Sequence, residues 1–169
     1  MKPNLILLII LITSLRIVAQ QESVQSDIPH VMIRNLNGQQ FNTADITNDG
    51  KPMILSFWAI WCKPCLKELD AFNEHYLEWQ EETGVRIFAV SIDDSRSTAR
   101  VAPYVNGKGW EFDVLLDANS DFKRAMNVNL IPHTLLLDGN GKIVSQHTSY
   151  FEGAEFEIYE KIKKIAGLN

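Results

Sequence analysis

The 169-residue sequence predicts an α/β fold, in which helices cover both faces of a central mixed β-sheet. Apolar runs of strand length alternate with amphipathic helical segments along the chain. A two-stranded hairpin and one last helix close the sequence. The length is enough for one well-filled core and too short for two, and the sequence has no internal repeat and no obvious linker. We therefore expect a single folded domain.

An N-terminal leader over residues 1–19 precedes that domain. A basic residue comes before an apolar run over residues 5–12, which continues to the small residue Ala19. This is the layout of a secretory signal peptide cleaved near Ala19, and the run is shorter than the about 20 apolar residues of a bilayer span. Arg16 lies close to the cleavage point, so an uncleaved membrane anchor is the alternative. We expect a domain over residues 28–169, in the periplasm or elsewhere outside the cytoplasm.

The first half of the domain is predicted to contain a hairpin, a buried strand and a long helix. Residues 30–34 and 40–42 flank Asn37-Gly38, a dipeptide that favours a tight hairpin turn. Residues 53–58 form a nearly continuous apolar run, as expected of a strand that is buried on both faces. From residue 62 to about residue 83, apolar residues recur at threes and fours, which indicates an amphipathic helix.

The second half is predicted to complete the sheet. The expected elements are a strand at 85–92, a helix at 95–105, a strand at 114–116, a helix at 120–126, a hairpin of 134–137 with 142–146, and a helix at 155–166. Strand 85–92 follows the long helix directly, so the two strands and the helix form a β-α-β unit.

The charge of the chain argues against nucleic acid as a partner. The 21 acidic and 16 basic side chains give a net charge of −5, and loss of the leader with its two basic residues would change this to −7. Such a surface repels phosphate groups, and no cluster of Lys and Arg interleaved with aromatic residues offsets that repulsion.

The only two cysteines of the sequence, Cys62 and Cys65, lie at C-x-x-C spacing where a predicted strand leads into a predicted helix. Unpaired backbone N–H groups and the positive end of the helix dipole favour a thiolate at that position. Cys62 is therefore the predicted nucleophile, and Cys65 is predicted to resolve the mixed disulfide. Pro64 fits the first helical turn, where its missing N–H has no intrahelical partner. Apart from this redox-active disulfide, we expect no cofactor and no metal.

Other roles for the cysteine pair fit the sequence less well. A structural bridge across two intervening residues would remove little entropy from the unfolded chain. A zinc site would need two more ligands from four histidines, none of which has another at the usual spacing. A thiol peroxidase would need a nearby Thr and Arg and a more distant resolving cysteine. A copper-binding assembly factor would use both thiolates with a histidine such as His133, although such proteins space their cysteines more widely. These last two classes are the alternative functions.

The acidic residues of segment 117–121 only faintly suggest calcium. The segment lacks the glycine and the distal glutamate of a calcium loop. Capping of the following helix explains these residues better.

Residues 57–65, Phe-Trp-Ala-Ile-Trp-Cys-Lys-Pro-Cys, resemble the active-site segment of thioredoxin. The continuation Leu66-Lys-Glu68 is similar to the exported TlpA/ResA-type thioredoxins of bacteria. The resemblance covers the chain after Asp27, and it implies a thioredoxin-like fold with an N-terminal β-hairpin and an extra α/β insertion. It also implies that the protein is a thiol-disulfide oxidoreductase.

The same resemblance implies the direction of the reaction. Lys63-Pro64 is closer to the motifs of reducing proteins than to the histidine-containing motifs of strong oxidants. The expected substrates are disulfides of other exported proteins, for example cysteine pairs that await haem attachment during cytochrome c maturation. Such a reductase would itself be recharged by a membrane electron donor, and we expect it to be a monomer.

In addition to Pro64, four residues are expected to contact the substrate, namely Trp61, Ile131, Pro132 and His133. The resemblance implies that Ile131-Pro132 is a cis peptide packed against the cysteines, which leaves the Ile131 backbone able to pair with a substrate strand. A trans proline that opens the next strand is the alternative. His133 would bring a polar, titratable side chain near the sulfurs, unless it is an ordinary surface histidine. Trp61 is expected to shelter the site and contact partners.

Glu68 is the predicted proton carrier. In thioredoxin a buried aspartate on the preceding strand has this role, and the matching position here is Ser56. The resemblance to the TlpA/ResA group assigns the role to Glu68, which lies one helical turn after Cys65. The alternative is an ordinary solvated glutamate on the outside of the helix.

Overall fold

The computed structural model describes residues 26–168 and contains a seven-stranded mixed sheet with four α-helices. The elements are β1 Met32–Asn35, β2 Gln40–Asn42, β3 Gly50–Trp58, α1 Lys63–Thr83, β4 Arg86–Ser91, α2 Val101–Lys108, β5 Asp113–Leu116, α3 Asp121–Ala125, β6 His133–Gly139, β7 Ile143–Thr148 and α4 Ala154–Ile165. Short 3₁₀ helices occur at Thr43–Asp45 and Thr98–Arg100. The predicted leader lies outside the described residues. Among the residues that the structure describes, no helix has the length and apolar character to cross a membrane.

The sheet has the strand order β2-β1-β5-β4-β3-β6-β7. Strand β3 lies between β4, to which it is parallel, and β6, to which it is antiparallel. The N-terminal hairpin joins the sheet through an antiparallel pair of β1 with β5. The second hairpin adds β7 as the edge strand beside β6. These pairings confirm the predicted α/β class and its central mixed sheet.

Successive side chains of β3 point to opposite faces of the sheet, so the strand contributes to the core on both faces. Ile54 and Trp58 belong to one apolar cluster, to which α1, α2 and α4 contribute. Leu55 and Phe57 belong to a second cluster on the opposite face, which includes Phe122 of α3. All four side chains of β3 are fully buried, as the continuous apolar run predicted.

Helix α1 begins at the cysteine motif, and its apolar side faces the sheet. Cys62 is the N-cap residue, and Pro64 lies in the first turn, where a missing N–H costs nothing. A stripe at helical spacing is buried, with Leu69, Phe72, Tyr76 and Trp79 as its members. Gly84 ends the helix in the left-handed conformation (φ +69°) that glycine adopts without strain.

One predicted helix is displaced along the chain. Residues 95–105 were expected to be helical, whereas α2 begins only at Val101, after a 3₁₀ turn. The Asp94 carboxylate accepts hydrogen bonds from the backbone N–H groups of Arg96 and Ser97, which favours a turn instead of a helix there. The capping role of segment 117–121 is confirmed, because the Asp117 carboxylate accepts from the N–H groups of Phe122 and Lys123 in α3.

Candidate active site

The two cysteines form a disulfide at the N-terminal end of α1. Their Cα atoms are 5.3 Å apart, and the Cys65 N–H donates to the Cys62 sulfur over 3.3 Å. Cys62 is 6% exposed and Cys65 is fully buried. A reagent that approaches from solvent therefore meets Cys62 first. The helix N-terminus that favours the thiolate of Cys62 is present as predicted.

The loop between β3 and α1 is held by the end of β4. Asp93 lies two residues after the end of β4 and is fully buried, and its carboxylate accepts from the Ile60 N–H over 2.9 Å. The Ser91 hydroxyl donates to the same oxygen, which fixes the carboxylate. The sequence analysis did not identify Asp93. The signal was available, because an acid that follows a buried parallel strand lies at the same sheet edge as the cysteine motif.

Two exposed apolar residues lie next to the cysteines in the sequence. Trp61, directly before Cys62, is 63% exposed, and Pro64 is exposed in the first turn of α1. The Ile131–Pro132 peptide bond is cis, as predicted. Ile131 is half-buried and packs against the core cluster that contains both cysteines. Trp61 precedes the cysteine pair in the sequence, and Pro64 lies between the two cysteines.

Glu68 is fully buried on the inner side of α1, so the alternative of a solvated helix glutamate is wrong. Its Oε2 atom lies 2.8 Å from the Thr134 hydroxyl and 3.1 Å from the Ser56 hydroxyl. Its Oε1 atom lies 2.8 Å from Nε2 of His147. A buried carboxylate needs such donors, because an unpaired charge in the core would cost several kcal/mol.

The partners of Glu68 were not identified as a group from the sequence. Ser56, Thr134 and His147 lie on β3, β6 and β7, and the sheet register places them side by side on the face that α1 covers. The Glu68 side chain extends from α1 and forms hydrogen bonds with all three residues of this row. A buried polar network therefore lies one helical turn from Cys65.

His133 lies apart from this network. It precedes Thr134 in β6, so its side chain projects from the opposite face of the sheet. Its Nε2 atom is 3.3 Å from the Gln146 side-chain oxygen, and its Nδ1 atom is buried. His133 therefore does not belong to the polar network around Glu68, and its role as a substrate contact stays a prediction.

The arrangement supports dithiol-disulfide chemistry. It provides a nucleophile at a helix N-terminus, a buried second sulfur and a carboxylate one turn away, which are the groups that exchange and proton transfer need. Within residues 26–168, no group of three or more His, Cys, Asp or Glu side chains is arranged to hold a metal ion.

Comparison with known sequences gives the same class of protein. The model of the AhpC/TSA family matches residues 24–146. The thiol-disulfide oxidoreductase ResA of Bacillus thuringiensis (strain Al Hakam) is 32% identical over 149 residues, which cover 87% of this chain and 82% of that protein. ResA of Bacillus subtilis (strain 168) is 31% identical over 148 residues, which cover 86% of this chain and 80% of that protein.

Solved structures agree with the fold. A thioredoxin-like protein from Porphyromonas gingivalis is 51% identical, with a TM-score of 0.75 over 85% of this chain and 94% of that one. StoA from Bacillus subtilis has a TM-score of 0.62 over 79% of this chain and 97% of that one, and at 22% identity it shows the fold alone. The family match covers most of the sequence, and the similar proteins named ResA are oxidoreductases. The chain therefore belongs to the AhpC/TSA family, and it is a thiol-disulfide oxidoreductase of thioredoxin-like fold.

Proposed function

We propose that this oxidoreductase reduces disulfides of other proteins outside the cytoplasm, with Cys62 as the attacking thiolate. The observation that carries the proposal is the unequal burial of the two cysteines at the N-terminus of α1, where Cys62 keeps a small exposed fraction and Cys65 keeps none. An attacking thiol must be reached by a protein substrate, whereas a resolving thiol needs to reach only its neighbour.

The reaction passes two electrons from the reduced cysteine pair to the substrate. The Cys62 thiolate attacks one sulfur of the substrate disulfide, which forms a mixed disulfide and releases one substrate thiolate. Cys65 then loses its proton to Glu68 and attacks the Cys62 sulfur, which releases the second substrate thiolate. The enzyme is left oxidised, with the Cys62–Cys65 disulfide. The buried position of Glu68 one turn from Cys65 supports its role as the proton acceptor.

The substrate contacts are assigned to the surface around Cys62. Trp61 and Pro64 offer an exposed apolar surface, on which an extended segment of a partner can pack. Ile131 precedes Pro132 and packs against the core cluster that includes the cysteines, and it offers its backbone for pairing with that segment. His133 begins β6 directly after this peptide, and we include it as a contact at the margin of the surface.

The extracytoplasmic location rests on the leader-like pattern of residues 1–19 and on the similarity to the exported TlpA/ResA-type proteins. In that setting the oxidised enzyme is reduced again by a membrane thiol-disulfide electron donor, and the enzyme works as a monomer. Cysteine pairs that await haem attachment are one substrate class with suitable chemistry. Lys63-Pro64 supports the reducing direction, because it lacks the histidine typical of strong oxidants.

Two linked experiments test the proposal. In the first, the wild-type protein with dithiothreitol is expected to accelerate the reduction of insulin disulfides, and Cys62→Ser is expected to abolish the acceleration. In the second, Cys65→Ser is expressed in the source cells and isolated without reductant. It is expected to carry partners in mixed disulfides that dithiothreitol releases.

The matched control is the double variant Cys62→Ser/Cys65→Ser, which is expected to trap no partner. Full insulin reduction by Cys62→Ser would contradict the assigned roles. Partners trapped equally by the double variant would show that capture does not depend on Cys62.

A further inference from the structure

The buried position of Glu68 raises the question of how a proton reaches water from it. Glu68 is fully buried, and the hydroxyl partners Ser56 and Thr134 are buried as well. His147 is different, because 29% of its side chain is exposed. Within residues 26–168, His147 is thus the hydrogen-bond partner that links Glu68 to solvent.

The β6–β7 hairpin determines the position of His147. Thr134 pairs with His147 across the hairpin, and both side chains lie on the face covered by α1. The register contains a one-residue irregularity between Leu136 and Leu137. A shift of one residue in the pairing moves every side chain of a strand to the opposite face of the sheet. This irregularity therefore places the His147 side chain on the face where Glu68 lies.

A surface cleft gives His147 access to water. The cleft has a volume of about 320 Å³ and lies between β7 and the start of α4. Its lining includes His147, Phe151, Ala154 and Ile158. A water or a small buffer molecule in this cleft can reach the imidazole without entering the core.

The charged and titratable groups near His147 do not replace it as the link between Glu68 and solvent. Glu157 and Lys161 of α4 line the same cleft with opposite charges, and the Lys161 ammonium donates to the Ser145 hydroxyl. Tyr150, which follows β7, donates its hydroxyl proton to Glu155. Burial and this hydrogen bond raise the pKa of Tyr150, so its phenol stays neutral in the working range.

We propose that His147 is a positioning and proton-relay residue, which carries the proton of Cys65 from Glu68 to water in the cleft. The inference rests on the proposed function and deepens it. Cys65 gives its proton to the Glu68 carboxylate, and the new thiolate attacks Cys62 in the mixed disulfide. Glu68 then passes the proton to Nε2 of His147, and His147 releases its Nδ1 proton to water. Histidine suits this step because one ring nitrogen can accept a proton while the other releases one.

The test compares wild type, His147→Gln and the control His30→Gln, which changes an exposed histidine before β1. Each reduced protein is mixed with a peptide that contains one disulfide. Acid quenching and mass spectrometry follow the formation and the decay of the mixed disulfide from pH 5 to 9. Glutamine can still donate a hydrogen bond to Glu68 but cannot carry a proton.

His147→Gln is expected to slow the decay of the mixed disulfide at least about tenfold near pH 7, while its formation and the alkylation of Cys62 stay unchanged. The difference is expected to shrink as the pH approaches 9, where an increasing fraction of thiols ionises unaided. In His147→Ala, imidazole added to the solution is expected to restore part of the rate through the cleft.

A decay profile of His147→Gln that superimposes on those of wild type and His30→Gln overturns the relay and leaves the proposed function standing. Absence of disulfide exchange in wild type overturns both. If thermal unfolding shows that His147→Gln is not folded, His147→Ala is used for the test in its place. A rate in that variant that does not respond to imidazole then overturns the relay.

Discussion

Replacement of Glu68 by glutamine removes the carboxylate that can accept a proton and keeps a side chain of nearly the same size and shape. The glutamine oxygen can accept from the Ser56 and Thr134 hydroxyls, as the Glu68 Oε2 atom does. The glutamine amide can donate to Nε2 of His147, which lies 2.8 Å from Oε1 of Glu68. The network can therefore be satisfied again in the variant.

The expected effects on stability and on rate differ sharply. Because no buried donor or acceptor loses its partner, Glu68→Gln is expected to change the free energy of unfolding by no more than about 1 kcal/mol. Loss of the proton acceptor for Cys65 is expected to slow the resolution of the mixed disulfide by about 10²–10⁴-fold near neutral pH. Glu68→Leu is the contrasting variant, because it leaves the partners unsatisfied at a cost of about 1–3 kcal/mol for each buried group.

The assay measures disulfide-exchange rates of wild type and Glu68→Gln from pH 5 to 9, with urea unfolding of both proteins alongside. The rate of Cys62 alkylation serves as the internal control, because this sulfur does not depend on Glu68 for its thiolate. Superimposable rate profiles would remove Glu68 from the mechanism. A large loss of stability in Glu68→Gln would instead show that the network cannot accept a neutral side chain.

Three further predictions follow from single features. Thr134→Val removes a buried hydroxyl 2.8 Å from Glu68 and is expected to lower the unfolding free energy by about 1.5–3 kcal/mol in urea titrations, whereas Thr134→Ser stays near wild type. N-terminal sequencing of the protein from the cell envelope is expected to begin near Gln20, and a full-length chain found only in membranes would favour the anchor. Burial and a hydrogen bond to Glu82 raise the pKa of Tyr159 to about 12 from 10.0. The protonated phenol therefore contributes to the stability of the folded protein, and this contribution is complete below pH 10 and is lost as the pH rises through 12. Absorbance titration at 295 nm is expected to lose a transition near pH 12 in Tyr159→Phe, and an unchanged curve would contradict the assignment.

Local patterns in the sequence were sufficient for most of the fold and for the cysteines. The continuous apolar run that leads into the C-x-x-C motif predicted β3, the start of α1 and the place of Cys62. These features depend on neighbours in the chain, such as Pro64 in the first turn. The displaced start of α2 also has a local cause, since the Asp94 side chain competes for backbone N–H groups that a helix would use.

The network around Glu68 depends on contacts that are distant in the sequence. Without the irregularity in the β6–β7 pairing, regular spacing from the Leu137–Ile143 pair would place Gln146, and not His147, opposite Thr134. A one-residue difference of this kind cannot be inferred from alternation alone, because it exchanges the two faces of a strand. His147 was therefore not predicted as a site residue, whereas His133 was predicted as one because it directly follows Pro132 in the sequence.

The most direct test of the account is the order in which the two cysteines of the reduced protein react with iodoacetamide near pH 7. Cys62 is the less buried cysteine and is the N-cap residue of α1, so it is the thiol expected to be ionised and accessible. Peptide mapping after partial reaction is expected to find the label on Cys62 before Cys65. Faster labelling of Cys65 would contradict the assignment of Cys62 as the nucleophile, and with it the mechanism proposed for this protein.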